Sequence, residues 1–235
     1  MTVSNQKETQ SFLMHVDHWM TQLPELKMQE LTHQPEKVAI VCVDIIKGFC
    51  EIGPLASPRV KGIVDPIVNL FQQGWDSGVR NIILSQDDHD PDAVEFGSWP
   101  PHCIRGTEEA ETEEKFRTLP FFDQILVLKK NSISSGLTKG FQNWVLDHPE
   151  VDHYVVVGDC SDLCTYQLAM FLRVDANERQ LQRRVILPEN CVQTYDMPVK
   201  SAEELGVYAH PGDLLHAVFL YHMALNGVEV VKAIQ

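Results

Sequence analysis

Six short runs of apolar, largely β-branched residues follow one another along the chain, and longer amphipathic segments separate them. The apolar runs lie at 38–44, 81–86, 125–129, 154–159, 184–189 and 228–233. The segments that carry apolar residues at helical spacing are 60–78, 137–147, 163–181 and 212–226. Such an alternation favours a parallel sheet that is covered by helices on both faces and joined by right-handed crossovers. We therefore predict an α/β fold of three layers, αβα, around a mostly parallel central sheet of about six strands.

The rest of the chain adds no second domain to this pattern. The 235 residues contain no internal repeat and no long linker, so a single domain 1–235 is predicted. Residues 1–35 are polar with scattered apolar positions, and we expect an N-terminal helical extension that packs on the domain and is closed by Pro35. Near the C-terminus, Phe219, Tyr221 and Met223 either contact a second copy in a homo-oligomer or face the core, and the core position is favoured.

The charge balance limits the partners of the chain. A net charge of −14 repels phosphate backbones and anionic membranes, which argues against nucleic acid and membrane partners and favours a neutral small molecule as substrate. No secretory signal is recognisable at the N-terminus, and no window approaches the roughly 18 apolar residues of a spanning helix. The six cysteines are too sparse and irregular for a disulfide scaffold. A cytoplasmic protein with one or more reactive thiols is therefore expected.

Polar residues stand at or just past the ends of four of the apolar runs. They are Asp44, Asp87, Lys130 and the segment 159–164. Because ligands bind beyond the carboxyl ends of parallel strands, these segments are expected to converge on one site.

Cys164 lies where an apolar strand gives way to a helix. The helix is expected to begin near Ser161 or Asp162, either of which could be its N-cap, so that Cys164 falls in the first turn. The helix dipole and the free N–H groups there would lower the pKa of the thiol and could hold an oxyanion. Taken alone, a free cysteine is more often a small buried residue.

Asp44 and Lys130 each follow an apolar strand. A partly desolvated carboxylate at Asp44 would have a raised pKa suited to proton transfer, and its alternative is a helix N-cap or a surface position. A cation at Lys130 would favour the thiolate, although an exposed lysine is the default expectation. The neighbouring Lys129 leaves this assignment open by one residue.

The segment 87–102, DDHDPDAVEFGSWPPH, combines carboxylates and imidazoles. Its candidate metal ligands are Asp87, His89, Glu95 and His102. This mixture suits a divalent ion such as zinc, manganese or iron, with positions left open for water and substrate. The alternative is a solvated acidic loop.

Together these segments resemble the nicotinamidases of the isochorismatase-like hydrolase superfamily, and the plant-type nicotinamidases in particular. The stretches that carry the resemblance are VDIIKGFCEIGPLA, SQDDHDPD, WPPHCIRGTEEAE, LKKNSISSG, VVVGDCSDLCT and AHPGDLLHAVFLYH. They are spread over most of the chain, and WPPHCxxGTxxAE and GxxxDxC are the most specific.

The resemblance implies a catalytic set of Asp44, Lys130 and Cys164, with Lys130 chosen because it opens the KxxxS stretch. It implies an oxyanion hole formed by the backbone N–H groups of Cys160 and Cys164. It also implies a cis peptide bond between Asp159 and Cys160.

The resemblance also assigns a metal site and a substrate pocket. Asp87, His89 and His102 match the family's metal ligands, and Glu95 is a fourth candidate. The implied cofactor is a divalent metal ion, zinc first, with manganese or iron as alternatives. Phe49 and Trp99 match aromatic residues that sandwich a pyridine ring, an arrangement that also makes physical sense for a flat heteroaromatic substrate.

The implied function is the hydrolysis of nicotinamide to nicotinate and ammonia through a cysteine thioester, in NAD salvage. The chain departs from the family pattern at Glu109, at Leu137 and at the pair Asp159 and Cys160, and the last two departures bear on the substrate. One alternative is an amidohydrolase of the same superfamily that acts on another small amide or an N-carbamoyl compound. An isochorismatase-type ether hydrolase fits less well, because it lacks the cysteine and the metal cluster. An alternative of another class is a catalytically inactive binding protein with the same fold.

Overall fold

The computed structural model describes residues 5–235. Its helices are α1 (Gln6–Thr21), α2 (Met28–Leu31), α3 (Lys47–Cys50), α4 (Pro58–Lys61), α5 (Val64–Asp76), α6 (Glu114–Arg117), α7 (Lys139–Asp147), α8 (Cys164–Glu178), α9 (Val199–Leu205) and α10 (Gly212–Leu225). Its strands are β1 (Val38–Val43), β2 (Asn81–Asp87), β3 (Leu126–Lys130), β4 (His153–Asp159), β5 (Arg184–Pro188), β6 (Val192–Gln193) and β7 (Glu229–Val231). Within the described residues, none of the helices is long and apolar enough to cross a membrane.

The strands form one sheet in which every strand pair is parallel. Its order is β3-β2-β1-β4-β5-β7, and the short β6 pairs with β4 beyond the end of β5. Each of the apolar runs in the sequence overlaps one strand, and the predicted α/β class is confirmed. The strand β6 was not predicted, because two residues are too few to show a periodicity.

The central strands are apolar on both faces because helices cover both faces of the sheet. All six residues of β1 are buried, and they alternate between two core clusters. Ile40 packs on one face with Ile67 and Phe71 of α5, and Val41 packs on the other face with Leu168 of α8. This explains why β1 appears in the sequence as a continuous apolar run rather than an alternating one.

The N-terminal extension differs from the prediction. Residues 1–4 of this segment lie outside the described residues, and α1 ends at Thr21 instead of continuing to Pro35. Pro24 explains the early end, because proline disfavours helical backbone in the residue before it and cannot donate a helical hydrogen bond. α1 packs against α10, where the ring of Tyr221 contacts the rings of Phe12 and Trp19 edge-on.

A glycine brings the ends of β1 and β4 together. Gly158 has a φ of +112°, and a side chain there would place its Cβ 2.0 Å from the carbonyl oxygen of Val43. Only glycine tolerates both this backbone conformation and this close approach. The residues that follow the two strands, Asp44 and the segment 159–164, are therefore held side by side at the carboxyl edge of the sheet.

Candidate active site

Lys130 lies at the centre of the residues that the sequence predicted to converge. Its Nζ is 2.7 Å from Oδ2 of Asp44, forms a second ion pair with Asp87, and lies 3.8 Å from Sγ of Cys164. The side chain is fully buried. Burial opposes its charge, but the carboxylates of Asp44 and Asp87 outweigh that effect and raise the pKa of Lys130 well above its ordinary value. A permanent ammonium therefore faces the thiol.

The neighbouring Lys129 points to the other side of β3, because successive side chains of a strand alternate between its faces. Its Nζ donates to the carbonyl oxygen of Ala110 at 2.9 Å and to Oε1 of Gln86 at 3.2 Å. Of the two lysines that the sequence left open, only Lys130 is placed beside Cys164.

Asp44 is held in an unusual conformation directly after β1. Its φ is +55°, a left-handed value that costs energy in a residue with a side chain. Oδ1 accepts a hydrogen bond from the N–H of Asp87 at 2.8 Å, while Oδ2 faces Lys130. Burial, followed by the nearby charge of Asp87, raises the pKa of Asp44 to about 6. The direction agrees with the expectation for a carboxylate that exchanges protons near neutral pH.

Cys164 lies in the first turn of α8, as predicted, and is the first residue of that helix. The predicted lowering of its thiol pKa is wrong. Burial raises the pKa of the Cys164 thiol well above its usual range, and the Lys130 ammonium is the strongest opposing influence. The carboxylates of Asp44 and Asp87 add to the rise. The resting cysteine is therefore a neutral thiol, and its activation requires a base.

The predicted N-caps of α8 are also wrong. The N-cap position belongs to Leu163, whose side chain makes no capping hydrogen bond. The hydroxyl of Ser161 lies 2.9 Å from Nδ1 of His216. Both oxygens of Asp162 are engaged by Thr194 and His210, at 2.6 Å each. Ser161 and Asp162 therefore hold other segments instead of the first turn of the helix.

The backbone around the expected oxyanion hole agrees with the resemblance. The peptide bond between Asp159 and Cys160 is cis. In the turn that follows, the N–H groups of Ser161, Leu163 and Thr165 donate to backbone carbonyls. No such turn hydrogen bond is made by the N–H groups of Cys160 or Cys164 in the described residues. These two donors remain free for an oxyanion, so this assignment stays a prediction with suitable geometry.

Three of the four candidate metal ligands form a compact group. One ligand atom from each of Asp87, His89 and His102 lies within 4.8 Å of the others, and all three residues are buried. Nδ1 of His102 lies 2.8 Å from the carbonyl oxygen of Pro100, and Nδ1 of His89 lies 3.2 Å from Oδ1 of Asn131. These acceptors hold the ring proton on Nδ1 and leave Nε2 of each histidine as a lone pair for a cation.

Glu95 also lies at this position and favours a bound cation. Its Oε1 lies 3.9 Å from Nε2 of His89, and both atoms are buried without a hydrogen-bond partner among the described residues. A divalent ion would satisfy both atoms together with Asp87, so the residues fit such a group. Asp44, Asp87 and Cys164 also lie close together, but the ammonium of Lys130 is the cation that already pairs with both carboxylates.

A cavity opens between the candidate metal ligands and Cys164. Its walls include both predicted aromatic residues, Phe49 and Trp99. They also include Tyr195, whose ring centroid lies 6.3 Å from that of Trp99. Of the departures from the family pattern, Asp159 and Cys160 line the cavity. Leu137 is 71% exposed and is absent from its walls, so that departure does not bear on the pocket.

Two residues of this site were not predicted from the sequence. Asn131, which orients His89, follows Lys130 directly at the end of β3, and that position was a usable signal. Tyr195 lies in a loop after β6 with no periodicity or motif, so nothing in the sequence indicated that it lines the cavity.

Comparisons with known proteins agree with this geometry. Nicotinamidase 1 of Arabidopsis thaliana is 28% identical over 221 residues, which cover 87% of this chain and 89% of that protein. The nicotinamidase/pyrazinamidase of Mycobacterium tuberculosis is 27% identical over 184 residues, 71% of this chain and 93% of its own length.

Solved structures share the fold. A nicotinamidase from Bacillus subtilis superimposes with a TM-score of 0.63 at 23% identity, covering 83% of this chain and 99% of that one. A pyrazinamidase of Pyrococcus horikoshii, crystallised in complex with zinc, gives a TM-score of 0.62 at 17% identity with coverage of 83% and 99%. Residues 38–231 match the isochorismatase domain family. Because that match spans most of the chain, the protein belongs to the isochorismatase domain family, as its motifs indicated.

Proposed function

We propose that this protein hydrolyses nicotinamide to nicotinate and ammonia. The observation that carries the proposal is the position of Lys130, whose ammonium contacts Asp44 and Asp87 and lies 3.8 Å from the thiol of Cys164. A base, a cation and a nucleophile within contact distance form the minimal apparatus for acyl transfer. Relatives that bear the name nicotinamidase support the choice of substrate.

The first step is the activation of the thiol. Asp44 takes the proton of Cys164, and the thiolate attacks the carboxamide carbon. Lys130 remains charged throughout and offsets the negative charge that moves from the carboxylate to the sulfur. The raised pKa of Asp44, about 6, makes this carboxylate a stronger base than an exposed aspartate.

The second half of the reaction returns the proton. The N–H groups of Cys160 and Cys164 hold the oxyanion, and Asp44 gives its proton to the departing ammonia. A water molecule, deprotonated by Asp44, then hydrolyses the thioester to the carboxylic acid and restores the thiol. In this scheme the product is nicotinate, which suits a role in NAD salvage.

A divalent metal ion is part of the proposal. Asp87, His89, His102 and Glu95 would hold it, with zinc as the first candidate and manganese or iron as alternatives. When bound, such an ion supplies a Lewis-acidic site for the ring nitrogen and so fixes the orientation of the substrate. The chain's own contribution is to orient the two histidines through Asn131 and the Pro100 carbonyl.

A second candidate is an amidohydrolase of the same family that acts on another small amide or an N-carbamoyl compound. Asp159 favours it, because this buried carboxyl residue lines the cavity and has no role in the hydrolysis of nicotinamide proposed above. A catalytically inactive binding protein has less support, since Asp44, Lys130 and Cys164 are all present and in contact.

Ammonia release tests the proposal. Purified protein is incubated with nicotinamide and zinc, and Cys164→Ala is measured beside Cys191→Ala, which removes a buried thiol outside the cavity. We expect release by wild type and by Cys191→Ala, and a loss of at least about a thousandfold in Cys164→Ala. Equal release by wild type and Cys164→Ala would rule out the scheme.

A further inference from the structure

Asp159 is a buried acid that the proposed reaction does not use. It is the last residue of β4, and it lies on the same face of the sheet as Val155 and Val157, which pack in the cluster that contains Phe49. The residue is 1% exposed and forms part of the cavity wall. The same cavity is lined by apolar side chains, among them Phe49, Leu55 and Ile133, and by the candidate metal ligands Asp87, Glu95 and His102.

The carboxyl group of Asp159 is only half satisfied. Oδ2 accepts a hydrogen bond from the thiol of Cys160 at 3.4 Å. Oδ1 is buried and has no hydrogen-bond partner among the described residues. The nearby ammonium of Lys130 is already held by Asp44 and Asp87. Buried polar atoms in proteins are nearly always paired, so an unpaired carboxyl oxygen on a residue that lines the cavity points to a partner supplied by a ligand.

The protonation of this group widens what it can bind. Burial, reinforced by the negative charge of Asp44, raises the pKa of Asp159 well above its ordinary value. A neutral carboxyl has one O–H donor and one carbonyl acceptor, so it pairs with an amino, hydroxyl or amide group without the need for a cation. A bare C–H edge offers it neither a donor nor a strong acceptor.

We propose that Asp159 determines specificity by a hydrogen bond to a polar substituent on the ring of the substrate. The preferred substrate class is then a small planar carboxamide with an amino or hydroxyl group on its ring, rather than nicotinamide itself. A site built to hydrogen-bond such a group discriminates against an analogue that lacks it, because the buried polar atom is then left unpaired. This inference rests on the proposed amide hydrolysis and identifies its substrate class.

Matched ring substituents test this specificity. Each positional isomer of aminonicotinamide with a free ring nitrogen is compared with the methylnicotinamide substituted at the same carbon, which has a similar size but no hydrogen-bonding group. We expect kcat/KM for at least one amino isomer to exceed that of its methyl partner by about tenfold or more. Asp159→Leu should bring that ratio close to one, whereas Asp159→Asn, which keeps a donor and an acceptor, should preserve it within about threefold.

Two results would overturn the inference. One is the absence of any amino preference in an enzyme whose amide hydrolysis depends on Cys164, and the other is a preference that persists in Asp159→Leu. If no amide is hydrolysed, the proposed function fails, and the dissociation constants of the amino and methyl compounds for Cys164→Ala decide the inference alone. A tenfold amino preference in binding supports Asp159, and equal binding overturns its role. The same titration applies if Asp159→Leu does not fold.

Discussion

Two polar clusters flank Cys164, and they are built differently. The strand-end cluster consists of Asp44, Asp87 and Lys130, which follow or end parallel strands and form ion pairs. The loop cluster consists of Asp162, Thr194 and His210, in which the two oxygens of Asp162 bind the Thr194 hydroxyl and the His210 ring at 2.6 Å each. The strand-end cluster contacts the sulfur of Cys164 through Lys130. The loop cluster includes Asp162, which precedes the first residue of α8 by two positions.

The difference indicates that the strand-end cluster takes part in the chemistry and that the loop cluster positions a wall of the pocket. Nδ1 of His210 lies 3.0 Å from the carbonyl oxygen of Tyr195, and the two rings stack with centroids 3.7 Å apart. Since Tyr195 lines the cavity, the loop cluster fixes one wall of the pocket without reaching the reacting atoms. Loss of a strand-end residue should therefore abolish turnover in folded protein, whereas loss of a loop-cluster residue should lower stability and substrate affinity.

The largest effect is expected at Lys130. Lys130→Gln removes the buried charge between two carboxylates and the thiol, and we expect kcat/KM to fall by at least about a thousandfold. Lys129→Gln is the matched control, since Lys129 faces the other side of β3, and its kcat/KM should stay within about threefold of wild type. Equal losses in the two variants would contradict the separation of the lysines. Ammonia release at saturating amide measures kcat, and release at limiting amide measures kcat/KM.

The strand-end cluster could be predicted from the sequence because strand ends in a parallel sheet share one edge. Apolar runs locate those ends, so Asp44 and Lys130 could be placed near Cys164 without any long-range information. The strand pattern could not distinguish Lys129 from Lys130, since β3 is an edge strand of five residues whose faces are partly exposed and give no clear alternation. Only the resemblance selected Lys130.

The loop cluster could not be predicted from the sequence, and the physical reason is different. Asp162 has the local pattern of an N-cap, and a tertiary contact with Thr194 and His210 overrides that local preference. The loops that carry these partners have no periodicity from which a contact could be predicted. The direction of the pKa shift of the Cys164 thiol was predicted wrongly for a related reason. The shift follows from burial, and the degree of burial depends on packing from several segments.

Metal binding should depend on the candidate metal ligands and not on the loop cluster. His89→Asn removes a buried ligand, and we expect bound zinc, measured by elemental analysis after dialysis, to fall from about one ion per chain to near zero. Activity should fall with it by a hundredfold or more. The exposed His33→Asn and the loop-cluster variant Asp162→Asn should retain the metal. Loss of zinc in Asp162→Asn would show that the loop cluster supports the metal site after all.

Removal of His210 should act on stability and affinity. His210→Leu leaves the buried Asp162 carboxyl without one of its partners, and we expect the free energy of unfolding to fall by about 1–3 kcal/mol. The loss of the ring that stacks on Tyr195 should raise KM by about three- to tenfold while kcat changes less. Urea unfolding and steady-state kinetics at a temperature where the variant remains folded measure the two effects. A collapse of kcat with an unchanged KM would place His210 in the chemistry.

The smallest expected effect concerns the pH dependence of stability at His216, which lies 2.9 Å from the Ser161 hydroxyl beside the loop cluster. Burial lowers the pKa of His216, so below the ordinary histidine pKa the unfolded chain binds a proton that the folded protein resists. Stability from this group is therefore present at neutral pH and is lost as the pH falls through the ordinary value toward the lower, folded one. His216→Asn keeps an acceptor for Ser161 but cannot titrate.

Between about pH 7 and pH 5, metal-free wild type should consequently lose more unfolding free energy than metal-free His216→Asn. The difference between the two proteins isolates His216 from the metal-site histidines, which titrate in both. Urea midpoints at each pH provide the measurement, and kcat/KM at neutral pH should stay within about twofold, because His216 does not line the cavity. Parallel stability curves for the two proteins would mean that His216 gains its proton without cost, and a change in kcat/KM would extend the catalytic region beyond the strand-end cluster.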